Sequence, residues 1–333
     1  MPDLIDRFGR KHTYMRISVT DRCNLRCLYC MPEEGLAFME QDKLLSYPQI
    51  VEVANAAVKL GIHKFRITGG EPLVRPGLEQ LIASLAELPG VEDISLTTNG
   101  LLLAPQAARL KQAGLTRVNI SLDTLDPVRF KFIARRGDLN KVWKGVEASV
   151  EAGLHPIKLN CVLLKGVNED EIGRFLKLSA ERGIHVRFIE YMPIGHDDAG
   201  WREHYLPLSR VLEEAVRLGY ALERADVPQG SGPSENWRIA GGNGTFGLIH
   251  PVSEHFCRNC NRLRLTADGH IKPCLYWIDE LNVKPALGSP EAMEQLFRKA
   301  MDIKPENHEM AALLAGSQQS HVPTERRMSQ IGG

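Results

Sequence analysis

Strand-like and helix-like patterns alternate six times over residues 1–195, which predicts an α/β fold with a parallel sheet. Two more observations agree. Each helical stretch ends at a Gly or Pro-Gly stop, as helices joined to strands by short loops should. The 333 residues, 43% of them hydrophobic, suit one barrel-sized domain with an extension. Two architectures accommodate the alternation, a doubly wound sheet and a partial (β/α)6 TIM-like barrel. Both place functional residues at the C-terminal ends of the strands.

The elements follow in order. Tyr14–Thr20 alternates as a first strand, and a cysteine-rich loop follows it. Tyr47–Leu60 repeats apolar residues at Ile50, Val53, Ala54, Ala57 and Leu60, a helical period closed by Gly61. Lys64–Thr68 is the second strand and Leu78–Leu88 a helix ended by Pro89-Gly90. Asp93–Thr98, Arg117–Leu122, Ile157–Leu164 and His185–Tyr191 read as strands. Pro105–Ala113, Lys141–Ala152 and Asp170–Arg182 read as the helices between them. Beyond Gly195 the pattern changes. One helix, Leu206–Gly219, precedes a Gly-, Pro- and Ser-rich stretch with a short strand near Trp237. Short β runs follow at Thr245–His250, Arg262–Thr266 and His270–Cys274, then a helix at Pro290–Met301 and a polar tail. The expected division is therefore 1–195, the barrel, and 196–333, a small α+β extension.

Lys and Arg total 41, as do Asp and Glu, so the formal net charge is zero. No bulk field draws the chain to nucleic acid or membrane, and any cationic site must be local. Residues 1–13 lack the apolar core of a signal peptide, and no run approaches a membrane span. Seven cysteines fall into two triads and a lone Cys161, read as a core residue. Clustered cysteines without an export signal point to metal in a reducing cytoplasm.

The first triad, Cys23-Asn-Leu-Arg-Cys27-Leu-Tyr-Cys30, has the spacing C-x3-C-x2-C. Three thiolates can wrap a four-iron cluster and leave one iron open for substrate or cofactor. A disulfide would strand one cysteine, and a zinc site would want a fourth ligand nearby. Thr68-Gly69-Gly70-Glu71-Pro72 follows the second strand, and its glycines let a ligand approach the backbone. It is not the G-x-G-x-x-G of a dinucleotide fold. Arg16, Arg66, Lys158 and Arg187 each interrupt an otherwise apolar strand. Buried cations are costly alone, so four together imply an anionic ligand, and Arg suits phosphate. Thr97 adds a hydroxyl at the end of the third strand. The second triad, Cys257, Cys260 and Cys274, fits either a second cluster or zinc with His255 or His270 as fourth ligand. Arg262 and Arg264 alternate beside it and face one way.

The Cys23–Cys30 motif resembles the signature of the radical S-adenosylmethionine (SAM) superfamily. With Thr68–Pro72, Leu96–Gly100, Arg187–Met192, Cys257–Arg264, Cys274 and Gly332-Gly333, the chain resembles the molybdenum cofactor biosynthesis protein A family, the GTP 3′,8-cyclases. The resemblance implies a radical SAM lyase with two [4Fe-4S] clusters. Cys23, Cys27 and Cys30 would hold the first cluster, and Cys257, Cys260 and Cys274 the second. Tyr29, Gly70, Ser121 and Met192 match SAM positions. Arg16, Arg66, Thr97, Lys158, Arg262 and Arg264 match GTP contacts, with Arg187 added. Arg16, Arg264, Gly332 and Gly333 are the implied catalytic residues. In that family a 5′-deoxyadenosyl radical takes hydrogen from C3′ of GTP, and the ribose radical closes on C8 of a guanine held by the second cluster. The product, 3′,8-cyclo-7,8-dihydro-GTP, passes to a pyranopterin-forming enzyme. An external one-electron reductant and a homodimer are implied. The alternatives are a radical SAM enzyme that modifies a peptide or RNA, and a nucleotide-binding iron–sulfur electron carrier.

Overall fold

Each central strand alternates one apolar and one polar residue, and this places the two faces of the sheet in different surroundings. The computed structural model describes residues 3–195, 198–225, 232–254, 256–314 and 322–332. Along the chain run β1 (Tyr14–Ser18), α1 (Tyr47–Lys59), β2 (Lys64–Thr68), α2 (Leu78–Ala86), β3 (Asp93–Thr98) and α3 (Ala107–Gln112). Next come β4 (Arg117–Ser121), α4 (Pro127–Ala134), α5 (Leu139–Glu151), β5 (Lys158–Leu163), α6 (Ile172–Arg182) and β6 (His185–Glu190). Then follow α7 (Asp198–His204), α8 (Ser209–Arg217), β7 (Leu222–Arg224), β8 (Glu235–Ile239) and β9 (Phe246–Ile249). Last are β10 (Arg262–Leu265), β11 (His270–Lys272), β12 (Leu281–Asn282), α9 (Pro290–Asp302), α10 (Met310–Leu314) and α11 (Met328–Ile331).

One sheet holds the strands in the order β12-β11-β10-β1-β2-β3-β4-β5-β6-β9-β8-β7. β10 and β9 pair in parallel with β1 and β6, so eight neighbouring strands share one direction. Antiparallel strands finish both edges. The sheet is open rather than closed. Residues 196–333 are mixed α and β, and their strands extend both edges of the first sheet.

The register explains the choice between the two architectures. Met15, Phe65, Ile94, Val118, Leu159, Val186, Phe246 and Leu263 are buried on one face. They pack with Ile50, Val53 and Ala57 of α1, Leu81 and Ile82 of α2, and Phe175 of α6. The opposite face carries Arg264, Arg16, Arg66, Ser95 and Arg117 in one row across five strands. Thr97, Asn119, Lys158 and His185 form the next row on that face. A doubly wound sheet needs apolar residues on both faces, because helices cover both. Here the polar face looks inward, as in a partial barrel.

Helix α1 starts with a capping box: Ser46 Oγ accepts from Gln49 N and Gln49 Oε1 from Ser46 N. Helix α4 was not anticipated from periodicity. Its signal was local: the Asp126 side chain accepts from Arg129 N, and Pro127 begins the helix. Helices α7, α10 and α11 are short and were also not foreseen. No described helix is long and apolar enough to cross a membrane.

Candidate active site between two cysteine triads

The loop after β1 carries Cys23, Cys27 and Cys30, all free. Neighbouring chain holds it on two sides. Arg26 N and Leu28 N donate to the carbonyls of Ala134 and Ile133, both at 3.0 Å, hanging the loop from α4. Gly70 N donates to Thr20 O at 2.7 Å and Glu71 N to Arg22 O at 2.8 Å. The two loops cross so closely that a Cβ on Gly70 would lie 2.6 Å from Asp21 O, and nearer still to Arg22 O. Glu71, fully buried, accepts from Leu73 N, Thr98 Oγ1 and Asn99 N at 3.0, 2.8 and 2.7 Å. Burial outweighs these donors and pushes its carboxyl up to about 7. Asn99 Nδ2 donates to Asn24 Oδ1 at 2.7 Å and reaches Cys23 Sγ at 3.9 Å.

Burial pushes the Cys23 thiol up to about 11 and the Cys30 thiol up to about 12, and holds Cys27 well above the usual range. Cys27 and Cys30 also feel neighbouring thiolates of the triad. Three soft donors that repel as bare thiolates fit a shared cationic centre. A tetrahedral zinc with Zn–S of ~2.3 Å holds its sulfurs ~3.8 Å apart. Among the described residues, the set of three ligand atoms lying within 4.8 Å of one another is Glu235, His250 and Glu254. Neither cysteine triad is that tight among the described residues, which does not match a compact zinc site.

The second triad sits at the other end of the strands. Cys257 and Cys260 precede β10, which is parallel to β1, and Cys274 follows β11, which is antiparallel to β10. All three therefore lie at the N-terminal end of the parallel strands, against the expectation that chemistry gathers at the C-terminal end. Five-residue β1 spans ~16 Å at ~3.3 Å per residue. His270 begins β11, at the end opposite Cys274, pairs with Asp268 (Nδ1 3.2 Å from Oδ2) and does not line the cavity that the triad lines. His255 lies outside the described residues. Burial raises the Cys257 thiol to about 12. Burial also acts to raise Cys260, but Lys304 and Arg262 outweigh it and bring that thiol down to about 6.

Between the triads lies a cavity of about 410 Å³. All six triad cysteines line it, as do Arg16, Arg66, Thr97, Arg187, Arg262 and Arg264. Tyr29, Gly70, Ser121 and Met192 line it too. Lys158 shares the inward face but is buried and does not line the cavity. Its ammonium is driven down to about 6 by burial, then by Arg187, Arg117 and Arg66. Burial followed by like charge lowers Arg187 to about 9 and Arg264 to about 10, and moves Arg16 well down. Asp93, which offsets Arg66 and Lys158, is itself paired with Arg117. The oxygens of Tyr14 and Thr97 and Asn160 Oδ1 are buried without a partner among the described residues. These features suit a polyanion with further polar edges.

Gly332 does not line the cavity but closes against it. Its carbonyl and that of Ile331 accept from Arg264 Nη1. At φ +72°, a Cβ here would run into Thr68 Cγ2. Ile331, buried, joins Tyr29, Tyr191, Met192 and Trp277 in a second apolar cluster. Gly333 lies outside the described residues.

Sequence reading passed over several residues. Asp123, buried, accepts from Tyr29 Oη at 2.7 Å and Val162 N at 2.9 Å, and burial lifts its carboxyl to about 6. Tyr14, Arg117, Asn119 and Asn160 share the inward face. The available signal was polar residues at every second strand position.

Fold and triad-bearing loop define the class, and the comparisons agree. A family model described as Radical SAM superfamily matches residues 17–179, and one described as Molybdenum Cofactor Synthesis C matches residues 184–310. The solved structure of Streptococcus suis SuiB bound to S-adenosylmethionine superposes with a TM-score of 0.60 at 16% identity, covering 93% of this chain and 69% of that one. Native anSMEcpe with bound AdoMet gives 0.56 at 15%, covering 89% and 82%. These are likenesses of fold. The chain is therefore a radical SAM protein. A relative named GTP 3′,8-cyclase from Listeria monocytogenes serovar 1/2a is 58% identical over 330 residues, 99% of each chain. Another of that name, from Lactiplantibacillus plantarum, is 46% identical over 333 residues, covering each chain completely. This chain belongs to the GTP 3′,8-cyclase family.

Proposed function

We propose that the protein converts GTP to 3′,8-cyclo-7,8-dihydro-GTP, the first step of molybdenum cofactor biosynthesis. The observation that carries the reading is the placement of two cysteine triads at opposite ends of one cation-lined cavity. Cys23, Cys27 and Cys30 would hold one four-iron cluster and Cys257, Cys260 and Cys274 the other. When bound, the first cluster and SAM supply reductive cleavage to a carbon radical able to take hydrogen from a ribose.

The chain's own residues position the reactants. Tyr29, Gly70, Ser121 and Met192 hold SAM at the C-terminal end of the strands. Arg16, Arg66, Thr97, Lys158, Arg187, Arg262 and Arg264 hold GTP below it, with guanidiniums on the phosphates. Burial and Arg187 disfavour the Lys158 ammonium, and phosphates nearby would favour it. The second triad faces the guanine. Tyr29, Tyr191, Met192 and Ile331 exclude water from the upper cavity. Arg264, fixed to the tail carbonyls, and Arg16 beside it stabilise the reacting nucleotide; Gly332 and Gly333 complete the catalytic set, and at Gly332 a side chain would meet Thr68.

In this division residues 1–195 carry the SAM chemistry, and residues 196–333 the second centre and the tail. A cytoplasmic one-electron donor, a homodimer and a downstream pyranopterin-forming enzyme complete the reading. The peptide- or RNA-modifying and electron-carrier alternatives are not favoured by end-to-end relatives that carry the cyclase name. The test is anaerobic reconstitution, then incubation with SAM, dithionite and GTP. Deoxyadenosine with a cyclised nucleotide is expected; deoxyadenosine with unchanged GTP would refute the assignment.

A further inference from the structure

We infer that Arg10 and Lys304 are positioning residues that set the geometry and charge of the second cysteine triad. This rests on the reading of that triad as a metal centre. Arg10, from the segment before β1, is buried and makes four guanidinium hydrogen bonds. Nε donates to Asp6 Oδ2 at 2.6 Å. Nη1 donates to Cys257 O at 2.8 Å and Glu306 O at 2.6 Å, and Nη2 to Pro305 O at 2.7 Å. Asp6 is held in turn, accepting from the backbone N–H groups of Phe8 and Arg10.

Lys304, just past the end of α9, is 2% exposed. Its Nζ donates to Arg262 O at 3.1 Å and to Pro273 O. Three of these five carbonyls belong to Cys257 itself, to the second residue after Cys260, and to the residue before Cys274. Two cations thus stitch together the three pieces of chain that carry the triad. Residues 10 and 304 come from opposite ends of the sequence, so the triad is assembled only in the complete fold.

Arg10 is paired with buried Asp6, but Lys304 has only carbonyls as its hydrogen-bond acceptors, and plain packing would choose an apolar side chain there, since a buried cation is costly unless compensated. Beside three thiolates and a cluster, cations are the favourable choice. They stabilise the more negative, reduced state, and hydrogen bonds and net charge set such potentials.

The test uses full-length protein reconstituted anaerobically, as wild type, Arg10→Gln, Lys304→Met and Lys304→Arg. Four quantities are read: iron per chain, the midpoint potential of the second centre by EPR-monitored titration, SAM cleavage at the first centre, and the melting temperature. Arg10→Gln and Lys304→Met should keep SAM cleavage and most thermal stability. Each should either lose the second centre's iron, from about eight per chain towards four, or shift its potential to more negative values. Lys304→Arg should recover part of either effect. Full iron with wild-type potentials in both Arg10→Gln and Lys304→Met would overturn the inference. So would loss of both centres together in all three variants, which marks general destabilisation. A wild type holding only four irons would instead overturn the reading of the second triad on which the inference stands.

Discussion

Gly70→Ala is the sharpest probe of how the first triad is held. The new Cβ would sit 2.6 Å from Asp21 O, 2.7 Å from Arg22 C and closer still to Arg22 O. All are backbone atoms of the loop that leads into Cys23, so no flexible side chain can yield. Reaching 3.4 Å, where ordinary contact begins, requires a shift of about 0.8 Å at Asp21 O, the difference between 3.4 and 2.6 Å, and more at Arg22 O. Overpacking of this kind costs ~1–3 kcal/mol. The shift also pulls on Gly70 N–Thr20 O at 2.7 Å and Glu71 N–Arg22 O at 2.8 Å, each worth ~1 kcal/mol. A displacement near 1 Å can cost ~10²-fold in rate through lost positioning. The expected outcome is a fall in SAM cleavage of about 10²-fold or more, with the second centre still loaded. The assay is deoxyadenosine formation under anaerobic single-turnover conditions, with iron analysis. Gly200→Ala is the control: nothing lies within 4 Å of its added methyl, and a change to Ala in a helix should be neutral or stabilising by ~0.5–1 kcal/mol. If Gly70→Ala cleaves SAM at the wild-type rate, the loop crossing does not control the site.

Four other outcomes follow from the same geometry. Cys274→Ser should lose about half the iron, keep SAM cleavage and give deoxyadenosine without cyclised GTP; normal cyclisation would contradict the second-centre role. Arg264→Ala should weaken GTP binding about tenfold or more, as loss of a charge-assisted bond worth ~1.5–3 kcal/mol implies, checked by calorimetry at fixed ionic strength. Gly332→Ala, strained at φ +72° and blocked by Thr68, should leave iron and SAM binding near normal while product formation falls; full cyclase activity would free the tail of any role. Lys158→Met should stabilise the protein in the absence of nucleotide, and more at pH 6 than at pH 9. The ammonium's ordinary value is 10.5 and its folded value about 6, so the unfolded chain binds the extra proton between them and wild-type stability rises with pH across that window. Equal melting shifts at the two pH values would show that Lys158 is not the group responsible.

The legible part of the fold was the part written locally. Short apolar strands and glycine-stopped helices gave the six repeats to within a residue or two, because burial of one face enforces the period. Helix α4 escaped because its eight residues carry little periodicity, although Asp126-Pro127 marked its start. The sheet order at the edges was not legible. Nothing local in Arg262–Leu265 says that it lies beside β1, 248 residues away, rather than in a separate unit. The cations Arg16, Arg66 and Arg187 stood out because each broke an apolar run. Tyr14, Asn119 and Asn160 did not, since single neutral polar residues in strands are common. Arg10 and Lys304 were invisible for a different reason: their partners are backbone carbonyls, and carbonyls leave no trace in a sequence.

The inward face is a poor arrangement for stability alone, and this is the strongest physical argument for what it binds. Register puts Arg264, Arg16 and Arg66 side by side on adjacent strands, which lie ~4.8 Å apart. Unit charges ~5 Å apart at an effective dielectric near 20 repel by about 3 kcal/mol. The hydrogen bonds found for Arg66 and Arg264 go to a serine hydroxyl and to tail carbonyls, and Asp93, which offsets Arg66, is shared with Arg117. The apolar face, packed under its helices, tolerates the cost. A ligand carrying three or four negative charges turns the same row from repulsive to attractive, so the row selects for a polyanion. A neutral nucleoside or a peptide with one carboxylate could not relieve it. The two triads then fix direction along the strands, with Cys23, Cys27 and Cys30 at one end of the cations and Cys257, Cys260 and Cys274 at the other, the ends proposed for SAM and for the second cluster. A nucleoside triphosphate, anionic at one end and a heteroaromatic base at the other, is the ligand shape this polarity selects.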